Sequence, residues 1–239
     1  MNIAMHVIRI LLITLATTPM AALADAGDWL VRARGIVIAP DDSSGLVGLS
    51  SAGVTTPLDG SGVGVDTQVV PEVDITYLVT RNIGIEVIAG MANHEVDLEG
   101  PGPVLTSLGF TDNYKIFDTW VLPPTVTVQY HLLPDNNIRP YLGVGVNYTA
   151  FLWNDASDNL EAAVGPVDVD MDNGFTWAAQ VGVDIDINDR WYFNIDLKYI
   201  DIDSTASLLI KNGAFANNSL RVDVDVNPFV FGAGVGMRF

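Results

Sequence analysis

The sequence predicts an all-β protein, an eight-stranded antiparallel transmembrane β-barrel with short periplasmic turns and long extracellular loops. Three observations predict this fold. Apolar and polar residues alternate with a period of two in eight segments, short and long connections alternate between these segments, and the chain ends on an aromatic residue, Phe239. Such a pattern is typical of outer-membrane barrels, whose strands present side chains to the lipid and to the lumen in turn.

The last segment shows the alternation most clearly. Phe229, Phe231 and Phe239 fall on one face of an extended strand, whereas Gly234 and Arg238 fall on the other. An apolar face suits contact with lipid, and glycines suit a crowded lumen. A soluble antiparallel barrel would turn the apolar set inward, and it would leave the terminal Phe239 without a role.

The other segments repeat this pattern along the chain. The eight alternating segments lie near residues 28–39, 65–80, 83–96, 118–131, 138–153, 174–187, 190–203 and 221–239. Long connections rich in Gly, Ser, Asn and Asp lie near 40–64, 97–117, 154–173 and 204–220. The remaining connections are short, so we expect the long ones outside the cell and the short ones in the periplasm.

Residues 1–24 have the features of a cleaved secretory signal peptide. Arg9 is the only formal charge before Asp25, the run from Val7 to Ala16 is largely apolar, and Ala22-Leu23-Ala24 is a small-x-small cleavage site. The apolar run is short for a membrane-spanning helix. We therefore expect cleavage after Ala24, which leaves residues 25–239 as a single transmembrane barrel.

Composition excludes several classes of function. The chain has no cysteine, so it cannot form disulfides or cysteine-ligated metal sites. A formal net charge of −18 argues against binding to nucleic acid. Acidic residues at the loop margins lack the spacing of an EF-hand, and we expect neither a cofactor nor a dedicated metal site.

The sequence also lacks the residue patterns that are typical of catalytic sites. Outside the signal peptide the histidines are His94 and His131, which fall at opposite ends of the predicted barrel. No Gly-x-Ser-x-Gly or comparable nucleophile context accompanies them. The sequence therefore predicts that the protein is not an enzyme and that His94 is an ordinary histidine of the membrane interface.

The inward-facing residues divide into a charged lower set and an apolar upper set. The lower set is predicted to form a charge network of Arg32, Arg34, Glu72, Asp74, Glu86, Asp196 and Lys198. The upper set is predicted to form an apolar tract of Ile36, Ile38, Val70, Ile88, Val121, Phe151, Trp153, Ile200 and Val224. Enclosed charges must pair, and two interpretations of the network stay open: it only fills and rigidifies the barrel, or it also seals the axis against an apolar solute.

The apolar tract has two possible explanations. Its side chains could pack against one another as a plug, or they could line a route for an apolar solute. If the axis is sealed, such a solute must leave sideways through a break in the strand ladder. Proline lacks an N–H group and marks such breaks or simple kinks. The candidate positions for a lateral opening are Pro71, Pro123, Pro124 and Pro228.

The chain resembles the outer-membrane protein W (OmpW) family, which includes alkane-importing members. The resemblance rests on the segments Gly-Asp-Trp-Leu-Val-Arg-Ala-Arg at 27–34, Leu-Pro-Pro-Thr-Val-Thr-Val-Gln-Tyr-His at 122–131, Arg-Pro-Tyr-Leu-Gly-Val-Gly-Val-Asn-Tyr-Thr at 139–149, and Asn-Pro-Phe-Val-Phe with the terminal Arg-Phe at 227–239. It implies an outer-membrane location in a Gram-negative bacterium and a narrow channel for passive uptake of small hydrophobic molecules.

The expected partners follow from this interpretation. They are a small hydrophobic solute, outer-membrane lipid and lipopolysaccharide, and the barrel assembly machinery, which would recognise the terminal strand ending on Phe239. Barrel closure leaves no free sheet edge, so we expect a monomer. The alternative function is a structural or interaction barrel with a closed interior and acidic, receptor-like loops.

Overall fold

The structure, a computed structural model, describes residues 25–41, 43–213 and 215–239. The predicted signal peptide, residues 1–24, lies outside the described residues. The elements in chain order are β1 (Trp29–Ala39), β2 (Ser43–Ser44), β3 (Gly48–Ser51), β4 (Val54–Pro57), β5 (Gly62–Val65), β6 (Gln68–Leu78), β7 (Ile83–Gly90), β8 (Ala92–Glu99), α1 (Gly102–Ser107), β9 (Tyr114–Leu122), β10 (Thr125–His131), β11 (Ile138–Ala156), α2 (Asp158–Val164), β12 (Val167–Met171), β13 (Gly174–Asp186), β14 (Trp191–Ile200), β15 (Asp203–Ile210), β16 (Ser219–Asp225) and β17 (Phe229–Arg238). Neither helix is long and apolar enough to span a membrane.

Eight strands close into a barrel wall. Their order around the wall is β1, β6, β7, β10, β11, β13, β14, β17 and back to β1, and every neighbouring pair is antiparallel. A closed ladder leaves no edge strand and pairs the backbone groups that lipid cannot satisfy. The predicted eight-stranded antiparallel barrel is confirmed.

The outer surface of the wall is apolar. Exposed residues such as Ile75, Val87, Val128, Val144 and Ile195 alternate with buried polar ones along their strands. A continuous apolar surface of this kind belongs in lipid rather than in water. The wall is therefore apolar outside, as the alternation predicts.

Aromatic side chains pack in pairs near both ends of the wall. At the end with the short turns, which we call the lower end, the rings of Trp29 and Tyr77 lie 4.9 Å apart. At the upper end the ring of Tyr199 lies 5.4 Å from the rings of both Trp177 and Phe229. These two levels match the aromatic girdles that mark the membrane–water interfaces.

The long connections are folded, which the sequence analysis did not anticipate. Strands β12, β15, β16, β3 and β4 form one sheet, and β5, β8 and β9 extend from the upper part of β11. Alternation continues through these connections; Ala206, Leu208 and Ile210, for example, are all buried. The two sheets therefore form a cap above the barrel, with a core of Val47, Leu58, Val63, Val96, Leu98, Leu105, Phe110, Ile116, Phe117, Leu160, Ala206, Leu208, Val222 and Val224.

Close packing inside the wall requires glycine at particular positions. A Cβ at Gly145 would lie 2.0 Å from the carbonyl oxygen of Val126 and 2.7 Å from the Cα of Thr127. Both atoms belong to the backbone of the neighbouring strand β10, so neither can move aside without breaking the ladder. By contrast, a Cβ at the outward-facing Gly35 would meet nothing within 4 Å.

We predict that Gly145→Val prevents closure of the barrel, whereas Gly35→Val is tolerated. The added side chain at residue 145 collides with the β10 backbone, and overpacking of this kind is strongly destabilising. Folding can be measured by the mobility difference between unheated and heated protein on a denaturing gel. A folded Gly145→Val protein with wild-type thermal stability would contradict the close approach of β10 and β11.

Candidate functional site

Arg32 lies at the centre of a buried charge network in the lower lumen. Its guanidinium contacts Asp74 at 2.9 Å, Glu86 at 3.2 Å and Asp184 at 3.0 Å. The Arg32 side chain is fully enclosed, and so are these three carboxylates. Bonds from one guanidinium to carboxylates on β6, β7 and β13 tie β1 to the neighbouring hairpin β6–β7 and to β13, which is distant in sequence.

The second layer of the network lies above Arg32. Arg34 contacts Glu72 at 2.8 Å and Asp74 at 2.6 Å, and Lys198 contacts both Glu72 and Asp196 at 2.8 Å. The structure therefore brings together all seven residues that the sequence suggested for the network. It adds Asp184 of β13, which was not among the residues predicted for the network.

Neutral polar groups fill the space between the charges. Gln180 and Thr127 both donate to Glu86, at 2.6 and 2.9 Å, and Tyr141 donates to Asp196 at 2.9 Å. Bonds of this kind satisfy the lone pairs that the cations leave free, as a buried ion network requires. The lower lumen is thus a packed, hydrogen-bonded floor.

An apolar cavity lies directly above this floor. Its volume is about 990 Å³, counting the part that is open to solvent, and Glu72 and Lys198 belong to its lining. Eight of the nine residues of the predicted apolar tract line it: Ile36, Ile38, Val70, Ile88, Val121, Phe151, Ile200 and Val224. We call this space the inner cavity.

Trp153 is the exception, and the prediction that it faces the lumen is wrong. Its side chain is 66% exposed and takes no part in lining the inner cavity. The register of β11 against β9 shifts between Leu152 and Asp155, and Trp153 itself has a φ of 47°. A bulge of this kind reverses the alternation, so parity counted from Phe151 points the wrong way.

Three of the four candidate prolines flank one interruption of the wall. Pro71 lies on β6, where the ladder with β7 ends at the pair Glu72 and Gly90. Pro123 and Pro124 separate β9 from β10, on the other side of the same point. Met91 lies between these prolines, lines the inner cavity and is also 41% exposed. Met91 is therefore a residue of the cavity lining that is also partly exposed.

Pro228 has a different environment. Its carbonyl oxygen accepts a hydrogen bond from the amide of Ile200 at 3.3 Å, and Asp41 donates to Val226 at 3.1 Å on the opposite side. The wall is bonded on both flanks of Pro228, so this proline introduces a kink between β16 and β17. The geometry does not support a lateral opening there.

A second apolar cavity lies in the cap. Its volume is about 850 Å³, again counting the part open to solvent, and its lining includes Leu105, Phe110 and Phe215. Val63, Phe117 and Val222 line both this outer cavity and the inner one. These three side chains form the partition between the two spaces, and Phe117 is almost fully buried.

The sequence analysis missed a polar position in the inner cavity. His94 was expected to be an ordinary interfacial histidine, but it is 94% buried and lines the cavity beside Thr119, its partner across β8 and β9. Burial lowers the pKa of His94, and contacts with Asp66 oppose that shift. In an extended strand His94 falls on the same face as Ala92 and Val96. This shared face was the signal that could have identified the inward orientation of His94.

A closed barrel that is apolar outside, ionic inside and flanked by aromatic girdles defines the class of protein as an outer-membrane β-barrel. The model of the OmpW family matches residues 25–239. The chain belongs to the OmpW family, and its location is the outer membrane.

Individual relatives agree with this assignment. Outer membrane protein W of Vibrio cholerae is 34% identical over 230 residues, covering 95% of each chain. The crystal structure of the outer membrane protein OprG from Pseudomonas aeruginosa matches with a TM-score of 0.78 at 30% identity, covering 90% of this chain and 97% of that one. A more distant relative, the dibenzothiophene metabolism operon protein PahQ of Pseudomonas aeruginosa, is 24% identical over 70% of this chain and 69% of its own.

We predict that Arg32→Leu destabilises the barrel by about 3–5 kcal/mol, because it leaves three buried carboxylates without their shared cation. The matched control is Arg81→Leu, which removes an exposed arginine that pairs with Asp25 and Asp135 and should change stability by about 0–1 kcal/mol. Urea unfolding of the protein in lipid bilayers measures both changes. Equal effects of the two substitutions would show that the network is not a stabilising floor.

Proposed function

We propose that the protein is a channel for passive uptake of small hydrophobic molecules across the outer membrane, with the inner cavity as its binding tract. The observation that carries this proposal is an apolar cavity held open above an ionic floor. Ile36, Phe151 and Ile200 pack against one another in one hydrophobic cluster. Free space nevertheless remains within the lining, and side chains that served only as a plug would fill it, since protein interiors pack to high density. The name of the PahQ relative, which refers to the metabolism of an apolar aromatic compound, agrees with this chemistry.

The proposed route begins in the outer cavity. An apolar solute leaves water for the cavity under the cap, where burial of its surface contributes about 25 cal/mol per Å². It then passes the partition of Val63, Phe117 and Val222 into the inner cavity. Rotation of the Phe117 ring, which lines both spaces, would join them.

The proposed exit is sideways through the wall. The charge network blocks the axis, since an apolar solute would have to displace paired ions to continue downward. The break beside Met91 is the alternative, because Gln68 to Pro71 on β6 have no ladder partner on the β8 side. A solute that leaves there enters the acyl chains and meets no water.

Further expectations accompany this proposal. The signal peptide is cleaved after Ala24, the barrel assembly machinery recognises the strand ending on Phe239, and the folded barrel acts as a monomer without catalytic activity. The acidic residues at the loop margins contact lipopolysaccharide through bridging divalent ions. The partner that matters for transport is the small hydrophobic solute.

We predict that Phe151→Asp, or Ile36→Asp, lowers uptake of an apolar solute at least tenfold, because it places an unpaired carboxylate in the inner cavity. Trp153→Asp is the matched control: it makes the same change two residues away, where the side chain points out of the cavity. Uptake of radiolabelled octane by cells lacking the native protein and supplied with each variant measures the effect. Unchanged uptake in the folded Phe151→Asp variant would favour the interaction barrel with a closed interior.

A reversible cross-link tests the lateral exit. The chain has no cysteine, so Val70→Cys with Met91→Cys introduces thiols only on the two sides of the wall break. We predict that a bismaleimide with a cleavable disulfide stops uptake and that reduction restores it. The control pair, Ala33→Cys with Val235→Cys, joins two outward-facing partners on bonded strands and should leave uptake unchanged. Uptake that persists in the linked Val70/Met91 protein would exclude exit at this break.

A further inference from the structure

His94 presents the one histidine ring in the lining of the inner cavity. The polar side chains of that lining are Glu72, His94, Thr119, Thr125 and Lys198. Glu72 and Lys198 bond to each other, and the hydroxyl of Thr125 donates to the carbonyl oxygen of Pro123 and accepts from Asn147. The polar groups of these three residues already have hydrogen-bond partners within the protein.

The hydrogen bond at Nδ1 fixes the proton on the His94 ring. Nδ1 lies 3.1 Å from the backbone carbonyl oxygen of Asp66, and a carbonyl oxygen only accepts. Nδ1 therefore carries the proton and donates it, so Nε2 of the neutral ring is an acceptor. Nε2 itself makes no hydrogen bond with the described residues.

Thr119 adds a second acceptor beside the ring. Its hydroxyl donates to the side-chain oxygen of Asn154 at 2.7 Å, which commits its only proton. The lone pairs of Thr119 Oγ1 are the part of this group that can still bond a solute. His94 and Thr119 face each other directly across β8 and β9, so the two acceptors share one position in the cavity.

We propose that His94 and Thr119 form a binding site for a hydrogen-bond donor on an otherwise apolar solute, above all an alcohol or phenol hydroxyl. An acceptor in the lining of an apolar cavity gains most from a partner, because an unpaired buried polar group is costly. A solute that carries a hydroxyl supplies the missing proton, whereas an ether or a hydrocarbon does not. The proposed site rests on the proposed function, since it lies within the same solute tract.

The position of this site suggests how a solute is oriented. Asp66, which holds the His94 ring, lies between β5 and β6, where its amide bonds the carbonyl oxygen of Glu95 at 3.4 Å and closes the upper end of the wall break. A hydroxyl held by His94 therefore lies at the upper rim of the proposed exit. The apolar body of the solute then extends downward along Val70, Met91 and Ile88.

Three probes of one shape test the donor preference. The protein in lipid nanodiscs is equilibrated with naphthalene, 1-naphthol or 1-methoxynaphthalene, and binding to empty nanodiscs is subtracted. We expect the wild type to bind 1-naphthol about fivefold more tightly than 1-methoxynaphthalene, the factor that one hydrogen bond between neutral groups contributes. His94→Phe should remove this ratio and change naphthalene binding less than twofold.

The controls separate this site from the channel proposal. His131→Phe makes the same substitution at the lower end of the barrel, outside the inner cavity. It should leave the ratio of 1-naphthol to 1-methoxynaphthalene affinity unchanged. Thr119→Val removes the second acceptor together with its hydrogen bond to Asn154. It should reduce the ratio of 1-naphthol to 1-methoxynaphthalene affinity, and it serves as the test if His94→Phe fails to fold. Binding of naphthalene with no advantage for 1-naphthol would overturn the donor site and leave the channel proposal standing. No binding of any probe would overturn both.

Discussion

The structure depends on the pairing of charges inside a narrow barrel. A lumen of eight strands has room for side chains and little else, so each ion placed there loses its water and must find a partner. Arg32 meets this requirement by bonding carboxylates from three strands, and Arg34 and Lys198 complete the layer above. This network fixes how the strands align, because a one-residue slip in any of them would carry its charge into the lipid.

The same network divides the lumen into two parts with different properties. Below Glu72 and Lys198 the interior is ionic and packed, and above them it is apolar and partly open. A floor of paired ions therefore gives an apolar cavity a closed lower end. At that height the ladder of the described wall is interrupted between β6 and β7, where Pro71, Pro123 and Pro124 lie near Met91. The ionic floor and the interruption of the wall together favour a solute route that leaves the barrel axis and enters the membrane.

Alternation was informative wherever the strands stay regular. It assigned the outer face of the wall, the seven residues of the network and eight residues of the inner cavity, because a pleated strand turns successive side chains to opposite faces. It failed at Trp153, where a bulge inverts the order. The strands of the long connections also alternate, but most of them are short, and the sequence analysis treated these connections as loops. The pattern also places His94 on the same face as the buried Ala92 and Val96, a signal that the expectation of an interfacial histidine did not use.

The sequence by itself determined the class of fold, the membrane it occupies and the two faces of each long strand, since these follow from local periodicity. Only the tertiary structure decided which distant residues meet. Asp184 bonds Arg32 across 152 residues, Asp66 sets the proton on His94, and Phe117 separates two cavities that belong to different parts of the chain. These contacts arise from barrel closure and cap packing, and no local pattern encodes the distance between side chains on strands that are brought together by folding.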